Sequence, residues 1–150
     1  MIKNQEKSEV IIYTDGACKN NPGPGGWAAI LIYKDQEKII SGKESFTTNN
    51  RMELLAVINA LNSLKFSCEI SLYTDSQYVQ NGITKWLPGW RKKNWRTSNG
   101  SAVKNQDLWE LLDLATKKHN ISWHWVKAHN GNAINERVDY LARQAILCDK

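Results

Sequence analysis

Cysteine is scarce in this 150-residue chain, which contains only Cys18, Cys68 and Cys148. An odd number of widely separated cysteines, none of them in a C-x-x-C motif, predicts neither a disulfide framework nor a zinc site. We therefore expect free thiols in a reducing compartment.

Long hydrophobic runs are also missing. No stretch approaches the roughly 20 consecutive apolar residues of a membrane span, and the polar start of the chain has no apolar signal-peptide segment. These absences predict a cytoplasmic protein without membrane contact. The 41% of hydrophobic residues suits a single compact domain over residues 1–150, with a flexible tail at residues 1–8.

Acidic residues are absent from residues 82–106, where six cations accumulate: Lys85, Arg91, Lys92, Lys93, Arg96 and Lys104. These six account for more than the whole net charge of +5, so the basicity is local. Trp86, Trp90 and Trp95 are interleaved with the cations. Cations and flat aromatic rings together favour contact with a phosphate backbone. The alternative is a solvated charged loop that its tryptophans hold to the domain.

Apolar periodicity predicts an α/β fold. The expected strands are Val10–Thr14, Gly26–Tyr33, Lys38–Phe46, Ile70–Thr74 and Ile121–Val126. The expected helices are residues 50–65, Ser76–Trp86, Gln106–Lys118 and Ala133–Leu147. Three successive strands followed by strand-helix units predict a mixed sheet of five strands covered by helices.

The run Tyr-Thr-Asp occurs twice and places Asp15 and Asp75 at the ends of the first and fourth predicted strands. If the sheet sets these strands side by side, both carboxylates meet at one edge. Two unit charges about 4 Å apart repel by roughly 4 kcal/mol at an effective dielectric constant of about 20, so the pair requires a cation or a proton. The two acids therefore indicate half of a metal site.

Two further acids lie on helix faces that turn toward the protein. In the first predicted helix, Glu53 shares a stripe with Val57 and Leu64. In the last predicted helix, Asp139 lies about 20° beyond the edge of the apolar stripe. A carboxylate on a buried face requires a partner.

Each of the four acids also has a purely structural interpretation. Glu53 could stabilise the first turn of its helix through the helix dipole, and Asp139 could pair with Arg143 at i,i+4. Asp15 could mark a turn, and Asp75 could cap the helix after it. The coincidence of all four acids favours a shared site.

Five blocks of motifs occur in order along nearly the whole chain. They are Thr14–Cys18 with Asn21–Trp27, Thr48–Leu54, Thr74–Val79, Trp125–Gly131 and Asn135–Asp139. Together they resemble bacterial type 1 ribonuclease H. The resemblance implies the ribonuclease H-like fold: a five-stranded mixed sheet, with three antiparallel and two parallel strands, flanked by helices on both faces. Asp15, Glu53, Asp75 and Asp139 match the family's metal-binding acids, and His129 matches its mobile histidine.

The resemblance implies hydrolysis of the RNA strand of RNA–DNA hybrids by a monomer, leaving 3′-hydroxyl and 5′-phosphate ends. It also implies a role in removing RNA primers and R-loops during DNA replication and repair. Oxygen ligands favour Mg²⁺, with Mn²⁺ as a substitute. Two ions ~3.5 to 4 Å apart would act together, with Asp15 bridging them, Glu53 and Asp75 on one ion and Asp139 on the other. His129 would transfer a proton or assist product release.

Recognition of a hybrid requires contacts to 2′-hydroxyls on one strand and to the DNA-like backbone of the other. The resemblance implies Cys18, Asn21, Asn49, Asn50 and Gln77 in the minor groove, Thr48 and Asn105 at a DNA phosphate, and Trp86, Arg91, Lys92 and Lys93 in a substrate-handling protrusion over residues 85–104. The same asparagines also suit turns and helix caps, and both interpretations stay open.

Two positions depart from the family pattern. Ala128 stands where a glycine commonly precedes the histidine, which is expected to stiffen that loop and to affect turnover. Phe46 replaces a basic residue that relatives often carry near Thr48, which is expected to weaken the grip on the DNA strand.

Two other functions are compatible with parts of the sequence. A polynucleotidyl transferase core, as in an integrase or transposase, uses a similar group of acids but seldom combines it with the asparagine-rich groove residues and a basic protrusion. A non-catalytic hybrid-binding module would have no need of all four acids. Cleavage of labelled hybrid with and without Mg²⁺ separates the binding module from the nuclease.

Overall fold

The structure is a computed structural model that describes residues 8–97, 100–127 and 131–147. Its strands are β1 (Ser8–Cys18), β2 (Gly23–Tyr33), β3 (Gln36–Thr47), β4 (Cys68–Thr74) and β5 (Asn120–Trp125). Its α-helices are α1 (Asn49–Asn62), α2 (Gln77–Asn81), α3 (Leu87–Lys92), α4 (Gln106–Thr116) and α5 (Ala133–Leu147). A π-helical turn, Gly82–Trp86, joins α2 to α3.

One mixed sheet has the strand order β3-β2-β1-β4-β5. β1, β2 and β3 are antiparallel neighbours, because short connections join strands that are successive in the chain. β4 pairs in parallel with β1, and β5 pairs in parallel with β4, each after a connection that contains helices. The predicted α/β fold, with its antiparallel and parallel strands, is confirmed.

Helices cover both faces of the sheet, as predicted. Alternate residues of a strand point to opposite faces. Val10 and Ile12 of β1 belong to the larger core, together with apolar residues of α1 and α4. Tyr13 points the other way and packs with Val138 and Ala142 of α5. The central strand β1 is therefore reached by α1 from one side and by α5 from the other.

β1 continues beyond its predicted end. Asp15 pairs with Ala28 of β2 inside the strand, so the prediction that it marks the strand tip is wrong on that side. On the other side, the parallel pairing of β1 with β4 ends at Tyr13 opposite Tyr73. Asp15 lies two residues after Tyr13, and Asp75 lies two residues after Tyr73.

The single helix predicted over Ser76–Trp86 is wrong in its interior and at its end. α2 stops after five residues, the π-helical turn follows, and α3 carries the chain onward. Gly82 opens the π-helical turn against the ring of Trp109, where a Cβ would meet the ring at 1.9 Å. Pro88 lies near the start of α3, a position that suits the first turn of a new helix.

Three further sequence predictions concern membrane spans, the N-terminal tail and the cysteines. Within the described ranges, no helix combines the length and the apolar character needed to cross a membrane. The tail predicted at residues 1–8 lies outside the described residues except for Ser8, which begins β1. Cys18 and Cys68 are free cysteines, and Cys148 lies outside the described residues.

Candidate active site

The parallel pairing of β1 with β4 carries Asp15 and Asp75 to the same edge of the sheet. Asp75 directly follows β4 and precedes α2. The N-cap of α2 is Ser76, whose hydroxyl accepts a hydrogen bond from the backbone N–H of Val79 at 3.1 Å. The capping position predicted as an alternative for Asp75 thus belongs to its neighbour.

Glu53 approaches Asp15 from α1. A Cβ at Gly16 would meet backbone atoms of Met52 and Glu53 at 2.5 Å, so only glycine lets β1 and α1 come this close. Glu53 is 6% exposed, on the protein-facing side that its position in the helix predicts. The glycine that follows Asp15 therefore helps to bring the second acid to the first.

Asp15, Glu53 and Asp75 each place a carboxylate oxygen within 4.8 Å of the other two. Asp139 of α5 lies close enough to this group to raise the pKa of Asp15. It also pairs with Arg143 at 3.2 Å, so the structural role considered for Asp139 coexists with its place at the site. We call these four acids the acid cluster. Its members come from β1, α1, the end of β4 and α5.

The acid cluster is a poor environment for ionised carboxylates. Burial, the charge of Asp75 and the nearby carboxyl group of Asp139 raise the pKa of Asp15 to about 8, against an opposing hydrogen bond from the backbone N–H of Gly16. Burial, followed by the charges of Asp15 and Asp75, raises the pKa of Glu53 well above its usual value. Without a cation, burial and mutual repulsion therefore favour the protonated forms of both groups.

The acid cluster fits a divalent metal ion. Its donors are carboxylate oxygens, which Mg²⁺ and Mn²⁺ prefer. Oε1 of Glu53 is buried and has no hydrogen-bond partner among the described residues, although buried polar atoms usually have one. A cation there would satisfy this atom and offset the repulsion between the carboxylates. The ligand set therefore supports the predicted site for a divalent metal ion.

A cavity of about 490 Å³ opens beside Asp75, with Gln77, Trp125 and Lys127 among its walls. A larger cavity of about 960 Å³ is lined in part by Glu9 and contains no member of the acid cluster. Of these two cavities, only the smaller one borders a member of the acid cluster.

Most of the predicted minor-groove residues gather near the start of α1. The Cys18 thiol donates to a backbone carbonyl oxygen at the end of β3 at 3.3 Å. Oδ1 of Asn21 accepts a hydrogen bond from the backbone N–H of Asn49 at 2.9 Å, a structural role that the sequence also allowed. Asn50 is exposed in the first turn of α1, and Gln77 is exposed at the start of α2.

Thr48 and Asn105, the predicted DNA-phosphate residues, lie at the starts of two helices. Thr48 is the N-cap of α1, and its hydroxyl accepts from the backbone N–H of Arg51 at 3.2 Å. Asn105 directly precedes α4 in a left-handed backbone conformation, with φ of 60°. Oδ1 of Asn105 accepts from Nη1 of Arg51 at 3.1 Å, so both residues contact the same arginine.

Tryptophans attach the basic segment, which we define as residues 82–104, to the domain. Trp90 and Trp95 pack against the larger core, and Trp90 contacts the buried ring of Trp109. Trp86 is 37% exposed and contacts Tyr78 edge to face. The rings are therefore mainly packing residues, while part of Trp86 stays accessible.

The predicted substrate-binding cations of the basic segment divide into two kinds. Lys92 and Lys93 are exposed. Arg91 is also exposed, but its guanidinium binds Asp113 of α4 through Nε at 3.3 Å and through Nη2. Asp113 is 6% exposed, so this pair ties the basic segment to α4.

Sequence reasoning missed three polar residues near the predicted site. Arg51 and Asp113 were missed because their partners are distant in the chain. Asn135 is 2% exposed in α5, one turn before Asp139, and its Oδ1 has no hydrogen-bond partner among the described residues. Its place on the apolar stripe of α5, three residues before Val138, was a signal that could have found it.

The loop with His129 and Ala128 lies outside the described residues. The role predicted for His129 and the stiffening predicted from Ala128 therefore stay predictions.

Comparison with known proteins places this arrangement in a family. A family model described as RNase H matches residues 7–147. The Ribonuclease H of Wolbachia pipientis wMel is 59% identical over 141 residues, which cover 94% of this chain and 97% of that protein. The Ribonuclease H of Hahella chejuensis is 62% identical over 137 residues, which cover 91% and 93%.

Solved structures agree with the sequence relatives. LC9-RNase H1, described as a type 1 RNase H with the type 2 active-site motif, has a TM-score of 0.86 and 30% identity, covering 96% of this chain and 74% of its own. LC11-RNase H1 in complex with an RNA/DNA hybrid shares the fold, with a TM-score of 0.71 at 21% identity and coverage of 91% and 96%. These matches confirm the predicted enzyme class, and the chain belongs to the RNase H family.

Proposed function

We propose that the chain hydrolyses the RNA strand of RNA–DNA hybrids with the help of two divalent ions, leaving 3′-hydroxyl and 5′-phosphate ends. The observation that carries this proposal is the acid cluster, in which carboxylate oxygens of Asp15, Glu53 and Asp75 lie within 4.8 Å of one another. Membership of the RNase H family and the hybrid bound by LC11-RNase H1 support the substrate.

Asp15, Glu53, Asp75 and Asp139 would hold the ions, with Asp15 as the shared ligand. When bound, Mg²⁺ or Mn²⁺ would supply charge stabilisation and a lowered pKa of water, on which hydrolysis of a phosphodiester depends. The hydrogen bond from the Gly16 backbone N–H to Oδ1 of Asp15, at 2.9 Å, holds that carboxylate in place. Asp15 and Glu53 would give up their protons as the cation enters, since ligands must be deprotonated.

The substrate side of the proposal uses the surface around the starts of α1 and α2. Cys18, Asn21, Asn49, Asn50 and Gln77 would face the minor groove, where amides and backbone groups can bind 2′-hydroxyls. Thr48 and Asn105 would hold a phosphate of the DNA strand. The basic segment, with Trp86, Lys92 and Lys93, would extend this contact along the duplex.

The proposal includes the remaining expectations from the sequence. His129 would move a proton or assist product release near the acid cluster. A monomer acting in the cytoplasm would remove RNA primers and R-loops during DNA replication and repair.

The test is cleavage of a hybrid labelled on either strand, compared with RNA and DNA duplexes of the same sequence, with and without Mg²⁺. We expect cuts in the RNA strand of the hybrid only, and only with the metal. Hybrid binding without cleavage in Mg²⁺ or Mn²⁺ would favour a non-catalytic binding module. Strand transfer to a second DNA would favour a polynucleotidyl transferase.

A further inference from the structure

Resting on the proposed function, we propose that Arg51 is a positioning residue. Its guanidinium sets the orientation of the Asn105 side chain, beside Thr48 at the DNA-strand phosphate, and so strengthens binding of the hybrid without taking part in cleavage. Arg51 stands in the first turn of α1 and bonds to both residues: its backbone N–H donates to Oγ1 of Thr48 at 3.2 Å, and its Nη1 donates to Oδ1 of Asn105 at 3.1 Å.

The hydrogen bonds of Asn105 fix its amide in one orientation. An asparagine amide has one carbonyl oxygen and two N–H donors. Arg51 has only donors, so the oxygen must face it. Nδ2 of Asn105 donates to Oη of Tyr78 at 3.0 Å. Oη of Tyr78 also accepts a hydrogen bond from Nε1 of Trp109 at 3.0 Å. One N–H of Nδ2 is used in this way. The other N–H would donate to a phosphate oxygen.

Thr48 is held by the helix backbone, whatever side chain stands at position 51. Its Oγ1 already accepts from the Arg51 backbone N–H, so the hydroxyl hydrogen is the part that can be offered to an anion. Each residue of the predicted phosphate site therefore offers one neutral donor, and the Arg51 guanidinium fixes the one on Asn105. Removal of the guanidinium would let the Asn105 amide turn over, which would exchange its oxygen and nitrogen.

The guanidinium is itself held in place. Nη1 and Nη2 of Arg51 donate to Oδ1 and Oδ2 of Asp107 at 3.0 and 2.8 Å. This two-pronged geometry suits arginine and is beyond lysine. Asp107 also balances the positive charge, so we assign the effect of Arg51 to geometry more than to attraction for phosphate. Phe46, 73% exposed at the end of β3, adds no charge at this end of the site.

The test uses hybrids in which one DNA phosphate at a time is replaced by a neutral methylphosphonate. The unsubstituted protein should show a rise in KM of about tenfold at one position, as expected for the loss of one hydrogen bond to a charged group. In Arg51→Gln, KM for the unmodified hybrid should rise by about the same factor, kcat should stay within about twofold, and the penalty at that phosphate should disappear.

Two further variants separate positioning from folding and from charge. Arg137→Gln breaks a comparable two-pronged pair with Glu37, at 3.0 and 2.9 Å, and should leave the methylphosphonate profile unchanged. Arg51→Lys keeps the charge, and it also serves if Arg51→Gln does not fold; it should lose the phosphate-specific penalty as well.

Three results would overturn the positioning role: an unchanged penalty in Arg51→Gln, full rescue by Arg51→Lys, or a flat profile in an unsubstituted protein that still cleaves hybrids. The proposed hydrolysis of hybrids would survive each of these results, but the flat profile would also remove the phosphate contact proposed for Thr48 and Asn105. Absence of hybrid cleavage by the unsubstituted protein would instead remove the proposed function, and the positioning role with it.

Discussion

The acid cluster and the basic segment treat charge in opposite ways. In the acid cluster, four acidic side chains come together, and two of them, Asp15 and Glu53, are only 4% and 6% exposed. In the basic segment, Lys92 and Lys93 stand exposed while the tryptophans pack inward. Anions from four distant parts of the chain meet in the first region, and cations from one continuous stretch line the second.

The two regions therefore differ in whether their own stability depends on a ligand. Buried carboxylates that lack partners are strongly unfavourable, so the acid cluster requires protons or a cation. Exposed cations are solvated in the free protein and contribute when they displace counterions from a nucleic acid. Arg91 belongs to the basic segment by sequence but pairs with the buried Asp113. Substitutions should therefore separate chemistry, stability and binding.

The largest effect is expected for Asp15→Asn, which removes a charge from the acid cluster and keeps the shape of the side chain. We expect hybrid cleavage to fall on the order of a thousandfold, as when a main electrostatic group of an active site is lost. Binding of the hybrid should be retained. Glu37→Gln, which neutralises an exposed carboxylate bonded to Arg137, is the control. Near-normal cleavage by the Asp15 variant would contradict the catalytic role proposed for the acid cluster.

Arg91→Ala tests whether one cation of the basic segment is structural. Loss of its bonds to Asp113 should reduce the free energy of unfolding by about 2 kcal/mol, within the usual range for hydrogen bonds to charged groups. Lys117 at 3.8 Å would remain as an ion-pair partner of Asp113. Denaturant unfolding beside the exposed control Arg96→Ala measures the effect. Equal stabilities of the two variants would show that Arg91 has no more of a structural role than Arg96.

A smaller effect is expected for the joint replacement of Lys92 and Lys93 by alanine. Stability should change little, because both side chains are exposed. The slope of log affinity for hybrid against log salt should decrease in magnitude by about 0.9 for each phosphate that the protein no longer neutralises. Replacement of Lys38 and Lys118, two exposed lysines outside the segment, is the matched control. If both double variants keep the original slope, the basic segment is not part of the binding surface.

Most of the fold was predictable because its signals are local. Apolar runs marked four of the five strands, β3 being a more polar one, and the repeated Tyr-Thr-Asp marked the edge where Asp15 and Asp75 meet. The position of Glu53 on its helix stripe correctly indicated its buried side. β1 was predicted too short because Asp-Gly also signals a turn, whereas pairing with β2 carries the strand through Asp15 and Gly16.

What the sequence could not indicate depends on contacts between distant residues. The π-helical turn at Gly82 reflects the ring of Trp109, which comes from another helix. The pair of Arg91 with Asp113 and the bonds of Arg51 join residues that no local pattern connects. The helix predicted over Ser76–Trp86 was therefore too regular, and Arg91 was predicted to bind substrate although it pairs with Asp113.

The raised pKa of Asp15 makes stability depend on pH. Its value rises from 3.8 in the unfolded chain to about 8 in the folded protein. Between these values the folded state holds a proton that the unfolded state has lost, so stability should fall as pH rises. Below this window the group is protonated in both states, and above it the loss is complete. Glu53, whose pKa is also raised, adds to the same trend.

The most direct measurement is thermal unfolding with and without Mg²⁺, at about pH 5 and about pH 9. If the acid cluster is held together by a divalent ion, the metal-free protein should be less stable at the higher pH. Mg²⁺ should restore stability mainly there, and Asp15→Asn should lose most of the gain. Equal melting temperatures with and without Mg²⁺ at the higher pH would contradict the account.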